Sequence, residues 1–287
     1  MKLAIFGNEY QRGHHSDIAR LMSSLRSHGF EMLVERTFLD YLDSIGVDVG
    51  GMQGLRASGP SGVDAALSIG GDGTFLKAAH WVAGTDTPVM GVNTGHLGYL
   101  TTTGIDDADA VADDLLLHRY RVEPRTTLRV VTDCTPASLN GLTALNEVAI
   151  LRHDTSSMIS MHTSVDGVEL TTYKGDGLVV CTPTGSTAYN MSVGGPILDP
   201  MNSCLVLSPI SPHSLAMRPV VIRDDTTVKV TTETRSQSFQ VSVDGNAMLC
   251  PSGTTVTIRK SATPVMVIQR HDHNFASTLR NKLNWGM

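Results

Sequence analysis

The stretch "LSIGGDGTFLKAAH", residues 67–80, places three glycines and one acidic residue where a predicted strand ends and a predicted helix begins. The apolar run before it indicates a strand at about 64–69, and "TFLKAAHWV" is helical from Thr74 onward. Backbone N–H groups and the positive end of the helix dipole face the same point at such a turn, which suits phosphate. The stretch therefore predicts a phosphate loop made of Gly70, Gly71, Gly73 and Thr74.

The acidic residue of this turn, Asp72, needs a separate explanation. The turn lacks the lysine of a Walker A loop and the spacing of GxGxxG, and an acid facing a polyphosphate would repel it. Beside bound phosphate, however, a carboxylate can accept the proton of an attacking hydroxyl or hold a magnesium ion. Either role predicts a phosphotransfer site. The structural alternative is a tight turn in which Asp72 is only a local cap.

Strands alternate with helices on both sides of this turn. Apolar runs at 2–6, 30–35 and 88–92 are predicted strands, and helical spacing separates them, most clearly in Ile18, Leu21, Met22 and Leu25. Such alternation is typical of parallel β-α-β units with right-handed crossovers. Residues 1–124 are therefore predicted to form a Rossmann-like α/β domain.

The pattern changes from about residue 125. Thr and Val become dense, helical periodicity disappears, and short strands recur, with Asp166-Gly167 as a tight hairpin signal. This pattern predicts an all-β sandwich over residues 125–270. Residues 271–287 return to helical spacing and are predicted to form a C-terminal helix that packs back on the rest.

Composition limits the classes of function. The chain has 287 residues, 41% of them apolar, and a net charge of -6, which argues against a general nucleic-acid binder. No run of about 18 apolar residues is present, and the N-terminal apolar run is short, so neither a membrane span nor a signal peptide is expected. We therefore expect a cytoplasmic protein. The four cysteines form no CxxC pair and the histidines are scattered, so no metal-ligating residues are predicted.

Five motifs, of which the glycine turn is the first, occur in order along the chain. They are "GGDGTFLKAAH" at 70–80, "GVNTGHLGYL" at 91–100, "LNEVAI" at 145–150, "KGDGLVVCTPTGSTAYNMSVGGPI" at 174–197 and "VSVDGN" at 241–246. In order and spacing, the chain resembles bacterial NAD kinases over essentially its whole length, including the closing "LRNKLNWG". The "TPTGSTAYN" block is the most specific element, because "GGDG" alone is shared with diacylglycerol, sphingosine and phosphofructo kinases.

The resemblance implies phosphorylation of NAD at the 2'-hydroxyl of its adenosine ribose, with ATP as donor and NADP as product. It implies an NAD kinase/diacylglycerol kinase-like fold, in which a Rossmann-like α/β domain precedes an all-β sandwich domain and the dinucleotide lies between them. It also implies magnesium as the divalent metal. Relatives assemble as dimers or tetramers in which a neighbouring subunit completes part of the site, so a homodimer or homotetramer is expected.

The resemblance also implies roles for individual residues. Asp72 is the expected proton acceptor, and Gly73 lets the ribose approach its carboxylate. Asn146 and Glu147 are similar to the pair that hydrogen-bonds the adenosine portion of NAD, and Asp176 matches the acid at the nicotinamide end. The segment that contacts adenine and ribose is matched by Thr187, Ala188, Tyr189, Asn190, Met191 and Ser192.

Three positively charged or polar side chains complete the predicted NAD contacts. Lys174 stands where many relatives carry arginine, so the charge is kept but the planar fork for bidentate contact is not. Asn246 stands where some relatives carry the longer glutamine. Lys77 lies one helical turn after Gly73 and points toward the same site, where it contacts a phosphate or is simply a solvated helix lysine.

Two other functions are compatible with parts of this pattern. A lipid kinase of the diacylglycerol type would use the same "GGDG" turn, but the Asn146-Glu147 pair and "TPTGSTAYN" argue against it. A catalytically silent NAD(P) sensor would be expected to have lost the carboxylate at position 72, and Asp72 is present. The choice among ATP, another nucleotide and polyphosphate as donor, and the use of NADH as acceptor, stay open at this point.

Overall fold

The computed structural model describes the whole chain except residues 12, 56–58, 96–97, 134–138, 155–157, 272 and 284–287. The chain divides into two compact units. The first unit comprises Met1–Pro124 and Val265–Met287, and the second comprises Arg125–Pro264. Two of the motifs above extend into residues outside this description, at 96–97 and at 284–286.

The described elements follow the chain in this order. The strands are β1 Lys2–Phe6, β2 Glu31–Val34, β3 Gln53–Gly54, β4 Ala65–Ile69, β5 Val89–Asn93, β6 Thr103–Gly104, β7 Tyr120–Arg125, β8 Leu128–Thr132, β9 Thr143–Ala144, β10 Glu147–Arg152, β11 Ile159–Val165, β12 Val168–Gly175, β13 Gly177–Cys181, β14 Cys204–Ile210, β15 Val220–Arg223, β16 Thr227–Glu233, β17 Ser238–Val243, β18 Asn246–Pro251, β19 Thr255–Lys260 and β20 Val265–Arg270. The α-helices are α1 His15–Ser27, α2 Arg36–Ser44, α3 Asp72–Val82, α4 Ala108–Leu116, α5 Tyr189–Ser192 and α6 Phe275–Leu283.

The first unit is built on a sheet of order β3-β2-β1-β4-β5-β20-β7, with β6 paired to β5. β1 lies between β2 and β4 and is parallel to both, and β4 is parallel to β5. The order of the strands thus reverses between β1 and β4. In parallel sheets, ligands bind outside the carboxyl ends of the strands at such a switch point, and the glycine turn follows β4 there.

Helix periodicity and burial agree in this unit. Ile18, Leu21, Met22 and Leu25 are all buried in the hydrophobic core that also contains the inward side chains of β1 and β4. Their spacing of three and four residues places them on one face of α1, which covers the sheet. The predicted Rossmann-like α/β fold of the N-terminal part is confirmed.

The sequence predicts that the second domain extends to residue 270, which would include strand β20. In the structure, β20 is parallel to β5, with Val267 paired to Val89, and therefore belongs to the first unit. The second unit accordingly ends at Pro264. An apolar run such as "PVMVIQR" predicts a strand but carries no information about the partner with which it pairs.

The second unit consists of two antiparallel six-stranded sheets. Their orders are β15-β14-β13-β10-β17-β18 and β12-β11-β16-β19-β8-β9. Inward side chains of both sheets form one hydrophobic core, for example Val148 and Val180 of the first with Val130 and Val228 of the second. Alternating burial along β17 and β19 is typical of such packing. The predicted β-sandwich fold is confirmed.

The hairpin signal at Asp166-Gly167 is also confirmed. β11 and β12 are antiparallel around it, with Val165 paired to Val168. Both turn residues have positive φ, 51° and 81°, as a two-residue type I' turn requires. Elsewhere, none of the helices in the described part of the chain combines the length and apolar composition of a membrane-spanning helix.

Candidate active site

The glycine turn connects a fully buried strand to an exposed helix start. β4 is buried along its whole length, and α3 begins at Asp72. Gly70 has φ +145°, and a Cβ there would lie 2.7 Å from the Oγ1 of Thr74. Asn8, just after β1, donates from Nδ2 to the same Oγ1 at 2.9 Å. The turn is therefore fixed from both sides of the switch point, and glycine is required at residue 70.

The carboxylate of Asp72 is held by the loop that follows β5. Its Oδ2 accepts a hydrogen bond from the backbone N–H of Tyr99 at 3.0 Å. Its Oδ1 accepts from the N–H groups of Leu100 and Thr101, both at 3.2 Å, and from the Thr101 hydroxyl at 3.0 Å. A carboxylate has about four lone-pair sites, so one site on Oδ2 stays open. Asp72 thus joins two loops and keeps one acceptor position for a ligand.

A hydrogen bond from Asn93 orients the Thr101 hydroxyl that donates to Asp72. The Nδ2 of Asn93 donates to the Oγ1 of Thr101 at 2.7 Å, and Thr101 in turn donates to Asp72. Both side chains are buried. Hydroxyl hydrogens in such chains are oriented by the donor behind them, so Asn93 fixes the direction in which Thr101 donates. The sequence analysis did not identify this pair, because neither residue type carries a distinctive catalytic signal.

Lys77, on the same helix as Asp72, forms an ion pair with Glu35. The Lys77 side chain is half-exposed and the Glu35 side chain is mostly buried. The other oxygen of Glu35, Oε2, is buried and has no hydrogen-bond partner among the described residues. Lys77 therefore compensates a buried acid in this structure, and a phosphate contact would have to compete with Glu35 for it.

In the second unit, Asn146 and Glu147 stand at the start of β10 and are held by a neighbouring turn. The carboxylate of Asp244 accepts hydrogen bonds from the backbone N–H groups of Leu145, Asn146 and Glu147, at 2.7, 2.9 and 2.9 Å. Asp244 lies in the turn between β17 and β18 and has φ 45°. This residue fixes the backbone of the predicted adenosine-binding pair, and the sequence analysis missed that role.

Both side chains of this pair are buried with unused acceptors. Asn146 is 8% exposed and Glu147 is 9% exposed. The Oδ1 of Asn146 and the Oε2 of Glu147 have no hydrogen-bond partner among the described residues. Buried polar atoms are almost always hydrogen-bonded, so two such atoms on adjacent residues indicate a site for a hydroxyl- or amino-bearing ligand.

Glu147 also has an unusual protonation equilibrium. Burial raises the pKa of its carboxyl to about 7, repulsion from Asp244 raises it as well, and a hydrogen bond from the Tyr189 backbone N–H lowers it. Perturbed groups of this kind cluster at functional sites. Near neutral pH the carboxyl is therefore divided between its neutral and ionised forms, and a ligand that donates hydroxyl hydrogens would favour the ionised form.

The raised pKa of Glu147 predicts that Glu147→Gln changes the free energy of unfolding in a pH-dependent way. The folded-state pKa is raised above the ordinary value of 4.5, so folding favours the protonated form. Folding with an ionised Glu147 therefore costs free energy. This cost is absent below pH 4.5 and complete above pH 7, where it amounts to at most about 3 kcal/mol. Urea unfolding at pH 8 should show Glu147→Gln more stable than the parent by about 1–3 kcal/mol, with little difference at pH 5.

A matched control is Glu169→Gln, which alters an exposed glutamate of the same unit. This variant should follow the parent at both pH values. An equal gain for Glu147→Gln at pH 5 and pH 8 would contradict a titration origin.

The side chains of the predicted contact segment, residues 187–192, differ in their exposure to solvent. Tyr189 is 36% exposed, and its ring is available for stacking. Asn190 is fully buried: its Nδ2 donates to the carbonyls of Ser186 and Pro196, and its Oδ1 accepts from the Ser208 hydroxyl. The Asn190 side chain is therefore engaged inside the unit, and only its backbone could contact a ligand. Of the other members, Thr187, Ala188 and Met191 are partly buried and Ser192 is exposed.

Gly185 brings this segment against the adenosine-binding pair. A Cβ at residue 185 would overlap the carbonyl oxygen of Asn146. The Thr182 N–H donates to the same carbonyl at 2.9 Å. The "TPTGSTAYN" block and the "LNEVAI" block are thus in direct backbone contact, although they are about 40 residues apart in sequence.

The remaining predicted residues lie on β12, β13 and β18. Asp176 connects β12 to β13 and forms an ion pair with Arg152, with 3.1 Å between Arg152 Nη1 and Asp176 Oδ1. Lys174 is exposed on β12, and Asn246 is exposed at the start of β18. The described hydrogen bonds and ion pairs therefore join Asp176 to Arg152 but do not join it to Lys174 or Asn246.

The described residues of the site offer few ligands to a magnesium ion. This ion usually keeps several waters and binds through one or two carboxylates together with substrate phosphates. Among the described residues, no group of three or more His, Cys, Asp or Glu side chains could hold a metal ion. Asp72 has one free acceptor position. The described residues therefore fit a magnesium ion that arrives on the phosphates of a nucleotide better than one held by their side chains alone.

Comparisons with known proteins agree over both units. Residues 4–120 match the ATP-NAD kinase N-terminal domain and residues 145–270 match the ATP-NAD kinase C-terminal domain. The chain is 42% identical over 287 residues to an NAD kinase of Bacteroides fragilis, covering 100% of this chain and 98% of the relative. It is 38% identical over 288 residues to an NAD kinase of Porphyromonas gingivalis, covering 99% and 98%.

Two solved structures share the fold. One is an NAD kinase from Archaeoglobus fulgidus in complex with ATP, with a TM-score of 0.74 and 26% identity over 98% of this chain and 99% of that one. The other is yeast NADH kinase complexed with NADH, with a TM-score of 0.87 and 19% identity over 100% and 88%.

A fixed carboxylate with an open acceptor position, at a glycine turn suited to phosphate, is what a phosphotransferase with an alcohol acceptor requires. The sequence comparisons narrow this class. The chain belongs to the ATP-NAD kinase family, and its function is that of an NAD kinase, as the sequence resemblance predicted.

Proposed function

We propose that the chain transfers the γ-phosphoryl group of ATP to the 2'-hydroxyl of the adenosine ribose of NAD, with Asp72 as the proton acceptor. The observation that carries this proposal is the open position on the Oδ2 of Asp72, because its other acceptor sites are occupied by Tyr99, Leu100 and Thr101. A hydroxyl that donates to this position has its oxygen lone pairs free for attack.

The chemical step then balances as follows. The bond between the 2'-oxygen and the γ-phosphorus forms, the bond from that phosphorus to the β–γ bridging oxygen breaks, and ADP leaves. The proton of the hydroxyl passes to Asp72. Phosphoryl transfer has a loose transition state, so positioning of the two oxygens contributes as much as proton removal. The four hydrogen bonds to Asp72 supply that positioning.

The adenosine portion of NAD is assigned to the second unit. Asn146 offers an amide to the donor and acceptor edge of adenine, and Glu147 accepts hydrogen bonds from ribose hydroxyls. Their unused acceptors support this assignment. Tyr189 stacks on a ring, while Thr187, Ala188, Met191 and Ser192 line the segment, and Asn190 fixes its backbone. Lys174, Asp176 and Asn246 are assigned to the rest of the dinucleotide.

The donor is bound at the glycine turn of Gly70, Gly71, Gly73 and Thr74. ATP is present in the structure of the Archaeoglobus fulgidus relative, which supports ATP as donor. Magnesium, where bound, neutralises charge on the transferring phosphates. Gly71 and Gly73 have open space at their Cβ positions, which leaves the backbone of the turn accessible to a ligand.

A panel of acceptors and donors tests the proposal. The chain is incubated with magnesium and ATP, with either NAD, NADH or diacylglycerol as acceptor, and with polyphosphate replacing ATP in parallel samples. NADP should form from NAD and ATP, as identified by mass spectrometry and by the ³¹P signal of a 2'-phosphate. Phosphorylation of diacylglycerol alone would make the chain a lipid kinase, and NAD binding without any product would make it a sensor.

Two properties of the protein in its cell belong to the same proposal. We expect a homodimer or homotetramer, as the sequence resemblance implies. Light scattering at assay concentration measures this, and a fully active monomer would contradict it. We also expect the protein in the cytoplasm, which fractionation of the source cells would test.

A further inference from the structure

A small cavity of the first unit lies beside the loop that holds Asp72. Its volume is about 190 Å³, and its walls include Gly98, Thr102 and one face of α6 formed by Ser277, Asn281 and Lys282. Nucleotide-sized pockets are usually about 300–1,000 Å³, so this cavity has room for a phosphate group rather than for a whole nucleotide.

The cavity adjoins the catalytic carboxylate. A Cβ at residue 98 would overlap the Oδ1 of Asp72, so the backbone of Gly98 lies directly against that oxygen. Gly98 also closes the loop, since its N–H donates to the Thr101 carbonyl at 3.0 Å. One wall of the cavity is therefore backed by the group that would receive the proton of the acceptor.

The side chains that line the cavity favour an anion, and the Asp72 carboxylate lies behind the backbone of Gly98 without lining the cavity. Lys282 is partly buried, and it takes part in none of the ion pairs found among the described residues. Two other cations of this unit are compensated by acids: Lys77 by Glu35, and Arg270 by Asp107 and Asp114. None of the described residues that line the cavity is acidic. A partly desolvated ammonium without a counterion is stabilised when an anion enters.

A neighbouring cavity of about 440 Å³ does not offer the same chemistry. It shares Thr102 and His273 with the first, but Asp17, Asp106 and Asp107 line it, and its cation Arg270 is already paired. A polyphosphate there would face three carboxylates. Of these two adjoining cavities, the one beside α6 is therefore the better place for a phosphate.

We propose that Lys282 binds a phosphate of the phosphoryl donor in the cavity beside α6, and that Asn281 and Ser277 offer hydrogen bonds to the same group. This rests on the proposed function, because the transferring phosphoryl group must come within reach of the hydroxyl that Asp72 holds. α6 is then a part of the donor site, although it lies about 200 residues after the glycine turn.

The test compares Lys282→Met with Arg280→Met in the full-length protein. Arg280 carries the same charge on the same helix but is exposed and does not line the cavity. With NAD saturating, Lys282→Met should raise KM for ATP about tenfold or more, since an ammonium–phosphate hydrogen bond is charge-assisted. KM for NAD should stay within about twofold of the parent. Lys282→Arg should restore most of the ATP affinity.

Three outcomes would overturn the assignment. One is an equal KM for ATP in Lys282→Met and Arg280→Met, and another is an increase in KM for NAD alone, which would place the dinucleotide's diphosphate at Lys282. The third is a loss of thermal stability in Lys282→Met that Lys282→Arg does not restore. Calorimetry with ATP and magnesium, or with tripolyphosphate, in the absence of NAD repeats the comparison without turnover. If the parent phosphorylates no acceptor, the proposed function fails, while this binding comparison still decides the role of Lys282.

Discussion

Replacing Asp72 by asparagine is expected to lower kcat by at least about a hundredfold while NAD affinity changes little. General-base contributions are typically about 10²- to 10⁴-fold. Asparagine keeps the size of the side chain but cannot accept the proton. It also places an NH₂ group against one or more of the N–H donors of Tyr99, Leu100 and Thr101, which now hold two carboxylate oxygens. The loss of a proton acceptor and the displacement of this loop act in the same direction.

Steady-state kinetics and calorimetry with NAD separate these effects from weaker binding. Asp86→Asn, in an exposed loop of the same unit, is the matched control and should behave as the parent. Thr101→Ser keeps the hydroxyl that donates to Asp72, whereas Thr101→Val removes it. The difference in kcat between these two variants therefore measures how much this hydrogen bond contributes by orienting the carboxylate. Loss of NAD affinity in parallel with kcat would assign Asp72 to binding rather than to the chemical step.

Gly98→Ala is the second substitution that is expected to lower kcat strongly. A Cβ at this position would overlap both the Oδ1 of Asp72 and the Oγ1 of Thr101, so the carboxylate or the loop must move. A misplacement of about 1 Å at a reacting group can cost about a hundredfold in rate. We therefore expect kcat to fall by about that factor, although no catalytic group has been removed.

Gly104→Ala is the control for this change. Gly104 belongs to the same unit, has an ordinary φ of -78°, and has open space where a Cβ would be added. Its kcat should stay close to that of the parent, and circular dichroism should show both variants folded. A Gly98→Ala enzyme with normal kcat would mean that the position of the Asp72 carboxylate tolerates displacement.

Much of the fold could be predicted from periodicity, and the exception has a physical reason. The helical spacing of Ile18, Leu21, Met22 and Leu25 and the hairpin signal at Asp166-Gly167 are local patterns, and the structure contains both features. Strand β20 is different, because its parallel pairing with β5 joins residues about 180 positions apart. Only the pairing decides which unit contains it, and pairing over that distance has no local signature.

The site could be predicted in part. Asp72, Asn146 and Glu147 stand out by residue type and motif, but the groups that fix them do not. Asp72 is held mainly by backbone N–H groups, which every residue except proline carries. Asp244 could have been suspected from the Asp-Gly turn signal within "VSVDGN", but its hydrogen bonds to residues 145–147 depend on the pairing of β10 with β17.

Asn190 is a residue that the motif identifies but whose side-chain direction the motif does not predict. A motif places it among the predicted contacts of adenine and ribose, but its side chain points into the second unit and donates to the carbonyls of Ser186 and Pro196. Whether a polar side chain at a short helix faces the ligand or the interior depends on the backbone direction of a four-residue element. A motif match therefore identifies the segment more reliably than the individual side chain.

The most direct test of the central claim is the single-turnover rate of NADP formation in the parent, with NAD and ATP saturating, compared with that of Asp72→Asn. A single turnover isolates the chemical step from product release. If the Asp72 carboxylate accepts the proton of the 2'-hydroxyl, the variant should be slower by at least about a hundredfold at an NAD dissociation constant close to that of the parent. A single-turnover rate within about tenfold of the parent would contradict the assignment of Asp72 as the base.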